Sequence, residues 1–187
     1  MDRKISEIIK KNGVGVLPTD TLYGLVGSAF SKEAVDRIYD LKSRNEKKSL
    51  IILISSIEDL EKFGVKITES AKKFMEKFWP GKVSIVLPFN NKQLSYLDRM
   101  GGTLAFRFPK KEDLIELIKE TGPIVAPSAN SEGAVPAKNL DEARKYFGDE
   151  VDFYVDDGEI DSEPSTLVKI DGDKIEVLRE GAVKIML

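Results

Sequence analysis

The chain has 187 residues, of which 41% are hydrophobic and 33% charged, a balance that supports a folded core and excludes an intrinsically disordered chain. Its 29 Lys and Arg against 32 Asp and Glu give a net charge of -3, so bulk charge does not indicate nucleic-acid binding. Cysteine and histidine are both absent, which excludes disulfides, thiolate metal sites, a thiol nucleophile and a histidine general base. Chemistry must therefore rest on carboxylates, hydroxyls, lysine, arginine and backbone groups, with an oxygen-ligated ion such as Mg²⁺ still compatible.

The N-terminal segment, residues 1–13, is charged and amphipathic and lacks the apolar region of a signal peptide. The longest apolar run, Leu50 to Ile54, is far too short to span a bilayer. We therefore expect a cytoplasmic protein without membrane contact. The length, with no linker or internal repeat, predicts a single domain over residues 1–187.

The chain begins with a predicted helix, because Ile5, Ile8 and Ile9 recur at helical spacing. A strand over residues 14–17 follows and leads into the stretch LPTDTLYGL, residues 17–25. This stretch is rich in hydroxyl groups and stands where a buried strand should end. Because ligands are usually held at strand ends in open α/β sheets, it is a candidate binding loop.

Helices and strands alternate through most of the remaining chain. The isoleucine-rich run Leu50–Ile54 is typical of a central strand covered on both faces. Strands are predicted at residues 25–29, 50–54, 83–87, 103–108, 124–126, 153–155, 166–170 and 175–178, and helices after the candidate caps Ser31, Ser56 and Thr68 and over residues 111–120 and 140–147. This order favours an α/β fold with a mixed sheet whose last two strands form an antiparallel hairpin.

The loop after the helix capped by Ser31 holds four cations in seven residues, Lys42, Arg44, Lys47 and Lys48. Such a charge run is usually a solvated surface loop. Clustered lysine and arginine also neutralise phosphate oxygens, so the alternative is a contact with polyphosphate or nucleic acid. Charge alone favours the surface loop, whereas the position beside the predicted central strand favours the phosphate contact.

Arg107 lies inside the predicted strand TLAFRFP, between two phenylalanines. A charge in an apolar strand is costly unless it is paired or faces a cleft. Arg107 could form an internal salt bridge, lie on an edge strand, or bind a carboxylate or phosphate bidentately. The residues themselves leave these alternatives open.

Small polar loops follow other predicted strands. Ser128 and Asn130 in PSAN could cap the next segment or hydrogen-bond a ligand. Since no histidine exists to activate Ser128, a histidine-based serine-hydrolase triad is excluded. PSTL (residues 164–167) and LREG (residues 178–181) repeat the pattern of a polar or cationic group beside a short strand.

Seven short motifs occur in one order along the chain: LPTDTLYGL, LKSR, FWPGKVSIVLP, AFRFP, PSAN, PSTL and LREGAV. This ordered set, which covers nearly the whole chain, resembles the short, single-domain form of the YrdC-like family of threonylcarbamoyl-AMP synthases. The resemblance implies a twisted, mixed parallel and antiparallel sheet with flanking helices and a large basic cavity. It also implies that L-threonine, bicarbonate and ATP give threonylcarbamoyl-AMP and pyrophosphate, for threonylcarbamoylation of adenosine 37 in tRNA.

The resemblance implies roles for particular residues. The L-threonine pocket would be lined by Thr21, Arg107, Ser128 and Ser165. ATP would be held by Arg44, Lys48, Thr103, Asn130 and Arg179. Lys42 would belong to the same basic wall, and Lys42 and Arg44 would act in catalysis. Asp20 is expected to serve the geometry of its loop or a polar contact.

The resemblance also implies substrates and partners. Mg²⁺ would arrive with ATP, and no metal would be held tightly by protein ligands. The product would pass to the tRNA threonylcarbamoyltransferase machinery, with at most a weak contact to tRNA or double-stranded RNA.

The sequence departs from the family pattern at three positions. Ser49 stands where proline is common, Leu53 where some members place a histidine near threonine, and Lys138 where a small hydroxyl residue is common. An ATP contact is therefore not expected of Lys138.

Two other functions remain open. An RNA-binding module would use the same cations to follow a phosphate backbone, although no basic stripe is interleaved with aromatic residues. A related carbamoyl transfer, as in YrdC-like domains of hydrogenase-maturation proteins, occurs in much longer chains with additional domains. The synthase is the preferred hypothesis.

Overall fold

A computed structural model describes residues 3–45, 48, 50–98 and 101–186, and the structural statements below refer to these residues. Lys47 and Ser49, named above, lie outside them. The α-helices are α1 (Arg3–Lys10), α2 (Lys32–Leu41), α3 (Glu69–Phe78), α4 (Glu112–Thr121) and α5 (Leu140–Phe147). The strands are β1 (Gly15–Pro18), β2 (Tyr23–Ser28), β3 (Ile51–Leu53), β4 (Val83–Pro88), β5 (Thr103–Arg107), β6 (Ile124–Val125), β7 (Phe153–Tyr154), β8 (Thr166–Asp171) and β9 (Lys174–Arg179). Short 3₁₀ helices cover Ile57–Phe63 and Lys92–Leu97.

Several helices begin at hydroxyl or amide caps that the sequence provides. The side chains of Ser31, Thr68 and Asn139 each accept a hydrogen bond from the backbone N–H three residues further on. These bonds satisfy a donor that the first helical turn leaves unpaired. Ser31 and Thr68 are confirmed as caps of α2 and α3, whereas Ser56 precedes the 3₁₀ helix Ile57–Phe63 rather than an α-helix.

The nine described strands form one sheet in the order β7-β1-β2-β6-β3-β5-β4-β8-β9. The pairs β1–β7, β3–β5 and β4–β8 are parallel and the others antiparallel, so the mixed sheet is confirmed. Strand β3 is the fifth of the nine, as its continuous apolar sequence predicts. Its Ile52 and Leu53 belong to the apolar clusters on opposite faces of the sheet.

Two apolar clusters cover the two faces of the sheet. The larger cluster contains the buried apolar residues of α2, α3, α5 and the 3₁₀ segment Ile57–Phe63. The smaller cluster joins α1 and α4 to one face, with Leu53, Ile124 and Ala126 packed against Leu114 and Ile118 of α4. No helix in the described parts of the chain is both long and apolar enough to cross a membrane.

Half of one sheet face is left without an apolar helical cover. Among the described residues, the smaller cluster includes none from β4, β5, β8 or β9. On β5, Leu104 and Phe106 point into the larger cluster, so Thr103, Ala105 and Arg107 face the opposite side. A cavity forms over this bare half-face.

The start of the second strand differs from the prediction, and this difference determines the shape of the candidate binding loop. The second strand begins at Tyr23, two residues before the predicted start, because Pro18 of β1 is in register with Tyr23 of β2. The binding-loop candidate is therefore a tight turn between two antiparallel strands.

Candidate functional site

A cavity of about 740 Å³ lies over the bare half of the sheet. Eight of the ten site residues proposed from the sequence line it: Thr21, Arg44, Lys48, Thr103, Arg107, Ser128, Ser165 and Arg179. Lys42 and Asn130 are not among its lining residues. Positions separated by up to 158 residues in sequence (Thr21 to Arg179) thus meet around one space.

The turn between β1 and β2 is held by Thr19. Its hydroxyl oxygen accepts hydrogen bonds from the backbone N–H groups of Thr21 and Leu22, at 3.1 and 3.2 Å. The same hydroxyl lies 2.7 Å from the Leu22 carbonyl oxygen, to which it donates. The hydroxyl of Thr21 lies 3.1 Å from that of Thr19, so both are held at the cavity wall.

Arg107 forms a buried ion pair with Asp20 of this turn. The two side chains are only 4% and 5% exposed. The other carboxylate oxygen of Asp20 accepts the backbone N–H of Lys110 at 3.0 Å. Burial lowers the pKa of Arg107, and the charge of Asp20 opposes that effect. Of the alternatives for Arg107, the internal salt bridge is therefore observed, and Asp20 has a definite partner.

The guanidinium of Arg107 is nevertheless incompletely bonded. Its Nε is buried without a hydrogen-bond partner, and its Nη2 lies 3.5 Å from the Thr19 hydroxyl. Arg107 also lines the cavity, so Nη2 retains N–H hydrogen-bonding capacity beside it, whereas Nε is covered by protein.

Lys42 lies behind the cavity wall rather than in it, contrary to the expectation of a wall residue. Its side chain is buried, and its ammonium donates to the carbonyl oxygens of Ser128 and Asn130 and to Asn130 Oδ1. Burial and the nearby charge of Arg44 lower the pKa of Lys42 to about 7. In this position Lys42 joins the cationic loop of residues 42–48, called the basic loop below, to the PSAN loop of residues 127–130.

Asn130 also differs from its expected place among ATP-contacting groups. Its amide nitrogen donates to the carbonyls of Ser131 and Ala134, both at 2.8 Å. Its Oδ1 accepts the Ser128 hydroxyl at 2.6 Å. The side chain is thus occupied in shaping the loop that presents Ser128 to the cavity.

The basic loop supplies Arg44 and Lys48 to the cavity. The ammonium of Lys48 pairs with Glu132, which also accepts the backbone N–H of Asn45. Arg44 Nε donates to the Lys48 carbonyl at 3.3 Å. The Lys48 side chain is 57% exposed, so these cations stand at an open part of the wall.

The last strands bring in Ser165 and Arg179. An Arg179 Nη2 donates to the Ser165 carbonyl at 2.8 Å, and the Ser165 hydroxyl lies 2.8 Å from that of Ser84. A Cβ on Gly181 would lie 2.3 Å from the Pro164 carbonyl oxygen, so only glycine allows LREG to approach PSTL this closely. Burial lowers the pKa of Arg179.

Sequence reasoning missed several lining residues, among them Thr19, Lys169, Glu176 and Leu178. A signal for Lys169 existed, because it stands between the apolar Val168 and Ile170 in a strand of alternating burial. For Thr19 the signal was its place in a turn sequence, where hydroxyls often bond nearby backbone groups.

Two of the positions that depart from the family pattern, Leu53 and Lys138, lie outside the cavity lining. Leu53 is fully buried in the smaller apolar cluster. Lys138 forms an ion pair with Asp161 at 2.7 Å.

Across the described ranges there is no group of three or more acidic side chains that could hold a metal ion.

A family model, Sua5_yciO_yrdC, described as "Telomere recombination", matches residues 7–181. A relative from Mycobacterium tuberculosis is 33% identical over 176 residues, which are 94% of this chain and 81% of the relative. The threonylcarbamoyl-AMP synthase of Bacillus subtilis is 39% identical over 128 residues, which are 67% of this chain and 37% of that protein.

The fold is similar to the crystal structure of P. abyssi Sua5 complexed with L-threonine. The TM-score is 0.89 with 31% sequence identity, over 96% of this chain and 53% of that one. The chain therefore spans about half the length of Sua5.

Proposed function

The chain belongs to the Sua5/yciO/yrdC family, and from this premise we propose that it is an L-threonylcarbamoyladenylate synthase. It converts L-threonine, bicarbonate and ATP into threonylcarbamoyl-AMP and pyrophosphate. The observation that carries the proposal is one cavity lined both by hydroxyl groups and by cationic side chains, of which Arg107 is buried and Lys48 exposed. It lies in a fold that matches a Sua5 complex with L-threonine at a TM-score of 0.89.

The hydroxyl-lined end suits a small amino acid. Thr21, Ser128 and Ser165 supply hydroxyl groups, and Arg107 supplies N–H donors for the substrate carboxylate. Because Asp20 already neutralises Arg107, this end has little net charge. An uncharged, polar pocket matches a zwitterion better than a free anion.

The cationic end suits the triphosphate of ATP. Arg44, Lys48 and the Thr103 hydroxyl line it. Arg179 of β9, which donates to the Ser165 carbonyl, adds a cation from the side of the terminal hairpin. Arginine and lysine bind phosphate oxygens through charge-assisted hydrogen bonds. Lys42 and Asn130 contribute indirectly, since they fix the loop that carries Ser128.

The reaction requires positioning and charge neutralisation more than a general base. The substrate amine takes up the carbon of bicarbonate, with loss of water, to form a carbamate. A carbamate oxygen then bonds to the α-phosphorus, and the bond from that phosphorus to the leaving pyrophosphate breaks. Cations that neutralise the triphosphate promote this step. A site without histidine or cysteine is adequate for it.

The proposal also includes the metal, the cellular location and the tRNA modification that the family resemblance implies. Mg²⁺ enters bound to ATP as part of the substrate. Residues 1–187 act as one cytoplasmic domain, and the product passes to the machinery that modifies adenosine 37 of tRNA. A contact with tRNA itself is at most weak.

The test is pyrophosphate release from ATP, with L-threonine or bicarbonate omitted in turn. We expect release to require both. Release that is indifferent to threonine contradicts the proposal. Release that instead requires a carbamoyl donor would indicate carbamoyl transfer, and salt-dependent tRNA binding without turnover would indicate an RNA-binding module.

A further inference from the structure

A straight row of residues crosses five strands on the cavity floor. In register, Ile51 of β3 lies beside Ala105 of β5, then Val86 of β4, Lys169 of β8 and Glu176 of β9. All five line the cavity. The row is apolar on the side of the basic loop and charged on the side of the terminal hairpin.

Lys169 faces the cavity because of the alternation of β8. Val168 and Ile170 on either side are buried in the larger apolar cluster, which forces Lys169 to the opposite face. Its neighbour on the same face, Leu167, also lines the cavity. The ammonium group is thus carried by a strand of the main sheet, which fixes its position better than a loop does.

The other cations of the cavity already have partners. Arg107 pairs with Asp20 and Lys48 with Glu132. Arg44 donates to the Lys48 carbonyl, and Arg179 to the Ser165 carbonyl. Within the described chain, Lys169 has no side-chain hydrogen bond or ion pair.

Glu176, although in register with Lys169, does not neutralise it at contact distance. A carboxylate oxygen of Glu176 lies 4.0 Å from the ammonium of Lys174, two residues earlier in the same strand. Lys174 is 79% exposed and is not a lining residue. The described part of the cavity therefore holds in Lys169 an ammonium without a bonded counter-charge.

The position of Lys169 complements the basic loop. Three strand spacings separate Lys169 from Ile51, a distance of about 14 Å between backbones. Ile51 follows directly on the loop that carries Arg44 and Lys48. Long cationic side chains thus approach the same space from two opposite sides, an arrangement that suits an extended polyanion.

We propose that Lys169 is a further phosphate-binding residue, which contacts the triphosphate of ATP and the pyrophosphate that leaves it. This inference rests on the proposed function. When the bond between the α-phosphorus and the leaving group breaks, its electron pair stays on pyrophosphate, and the ammonium of Lys169 neutralises part of that charge. Because Lys169 lies inside the cavity, a nucleotide reaches it more readily than a nucleic-acid backbone.

The test compares Lys169→Met with Lys174→Met, a matched removal of one lysine from the same hairpin. For Lys169→Met, ATP affinity and inhibition by inorganic pyrophosphate should both weaken about tenfold, the size of one charge-assisted contact. The KM for L-threonine should stay unchanged. Lys169→Arg should restore most of the affinity, and Lys174→Met should behave like the wild type.

ATP and pyrophosphate binding are measured by calorimetry, beside threonine-dependent turnover of the wild type. Wild-type turnover together with unchanged binding in Lys169→Met overturns the role of Lys169. Absence of threonine-dependent turnover in the wild type contradicts the proposed function instead, so the two failures are distinguishable.

Discussion

The two ends of the cavity differ in how deeply their charged side chains are buried. At the end proposed for threonine, Arg107 is 4% exposed and is neutralised by Asp20 within the fold. At the end proposed for ATP, Lys48 is 57% exposed, and its partner Glu132 is itself 21% exposed. The first ion pair is buried, and the second lies at an open part of the cavity wall beside Arg44.

This difference fits the proposed use of one cavity by two substrates. A buried pair is costly to disrupt and holds its geometry, so the first end can select a small ligand by shape and hydrogen bonding. Exposed ion pairs contribute little to stability and exchange partners easily, so phosphate oxygens can replace Glu132 at Lys48. Selectivity should therefore lie at the first end and nucleotide affinity at the second.

The largest effect is expected from Arg107→Met, which leaves Asp20 buried without its partner. Breaking a buried pair costs about 3–5 kcal/mol of unfolding free energy. The KM for L-threonine should rise strongly while ATP binding changes little. Urea unfolding and steady-state kinetics measure the two effects.

The double variant Asp20→Asn with Arg107→Met separates stability from binding. It removes both charges, so stability should partly recover while threonine affinity stays low. An Arg107→Met enzyme with wild-type threonine affinity would rule out the carboxylate-binding role.

Lys42→Met should weaken the attachment of the basic loop to the PSAN loop. Three acceptors, on Ser128 and Asn130, lose their donor, at a cost of about 1–3 kcal/mol. Because Lys42 ties the basic loop to the PSAN loop, we expect KM to rise for both substrates. A change confined to one substrate would contradict this connecting role.

The pH dependence of stability gives a second measure of Lys42. Its folded pKa of about 7 lies below the ordinary 10.5, so the unfolded chain binds the proton more tightly between these values. The unfolding free energy of the wild type should therefore rise with pH from about 7 towards 10.5, relative to Lys42→Met. Urea unfolding of both proteins at several pH values tests this, and a constant difference would argue against a buried ammonium.

Lys48→Met should affect only the open end. We expect the KM for ATP to rise about tenfold with the KM for threonine unchanged, since one charge-assisted contact is lost. Lys138→Met is the matched control, because its ion pair with Asp161 is exposed and lies outside the cavity lining. An equal effect of both substitutions on the ATP KM would indicate general electrostatics rather than a contact.

The smallest effects are expected from single hydroxyl groups. Thr21→Val should raise the KM for threonine, and Thr103→Val the KM for ATP, each by about fivefold. The two variants are chemically identical changes at opposite ends of the cavity. If either variant altered the KM of the other substrate instead, the assignment of the ends would be wrong.

Much of the fold could be predicted from the sequence because its signals are local. The apolar run at β3, the caps Ser31 and Thr68 and the hairpin of β8 and β9 each follow from neighbouring residues. The seven short motifs contain most of the residues that line the cavity, so the family resemblance that they support already assigned these segments to one site.

The site details that sequence could not provide depend on tertiary packing. Asp20 and Arg107 are 87 residues apart, and no local pattern joins a turn aspartate to a strand arginine. Lys42 stands in a strongly cationic loop, where exposure is the ordinary outcome, yet the PSAN loop covers it. The apolar neighbours of Lys169 in β8 indicate that it faces away from the core, but its place in the cavity follows only from the strand register.

The proposed function requires that the substrates held at the two ends be joined in one product. This product is an adenylate whose carbamoyl carbon comes from bicarbonate. Mass spectrometry of the reaction with ¹³C-bicarbonate, L-threonine and ATP tests it directly. We expect a threonylcarbamoyl-AMP that carries the label and is absent when threonine is omitted. Conversion of ATP without a labelled adenylate would contradict the account.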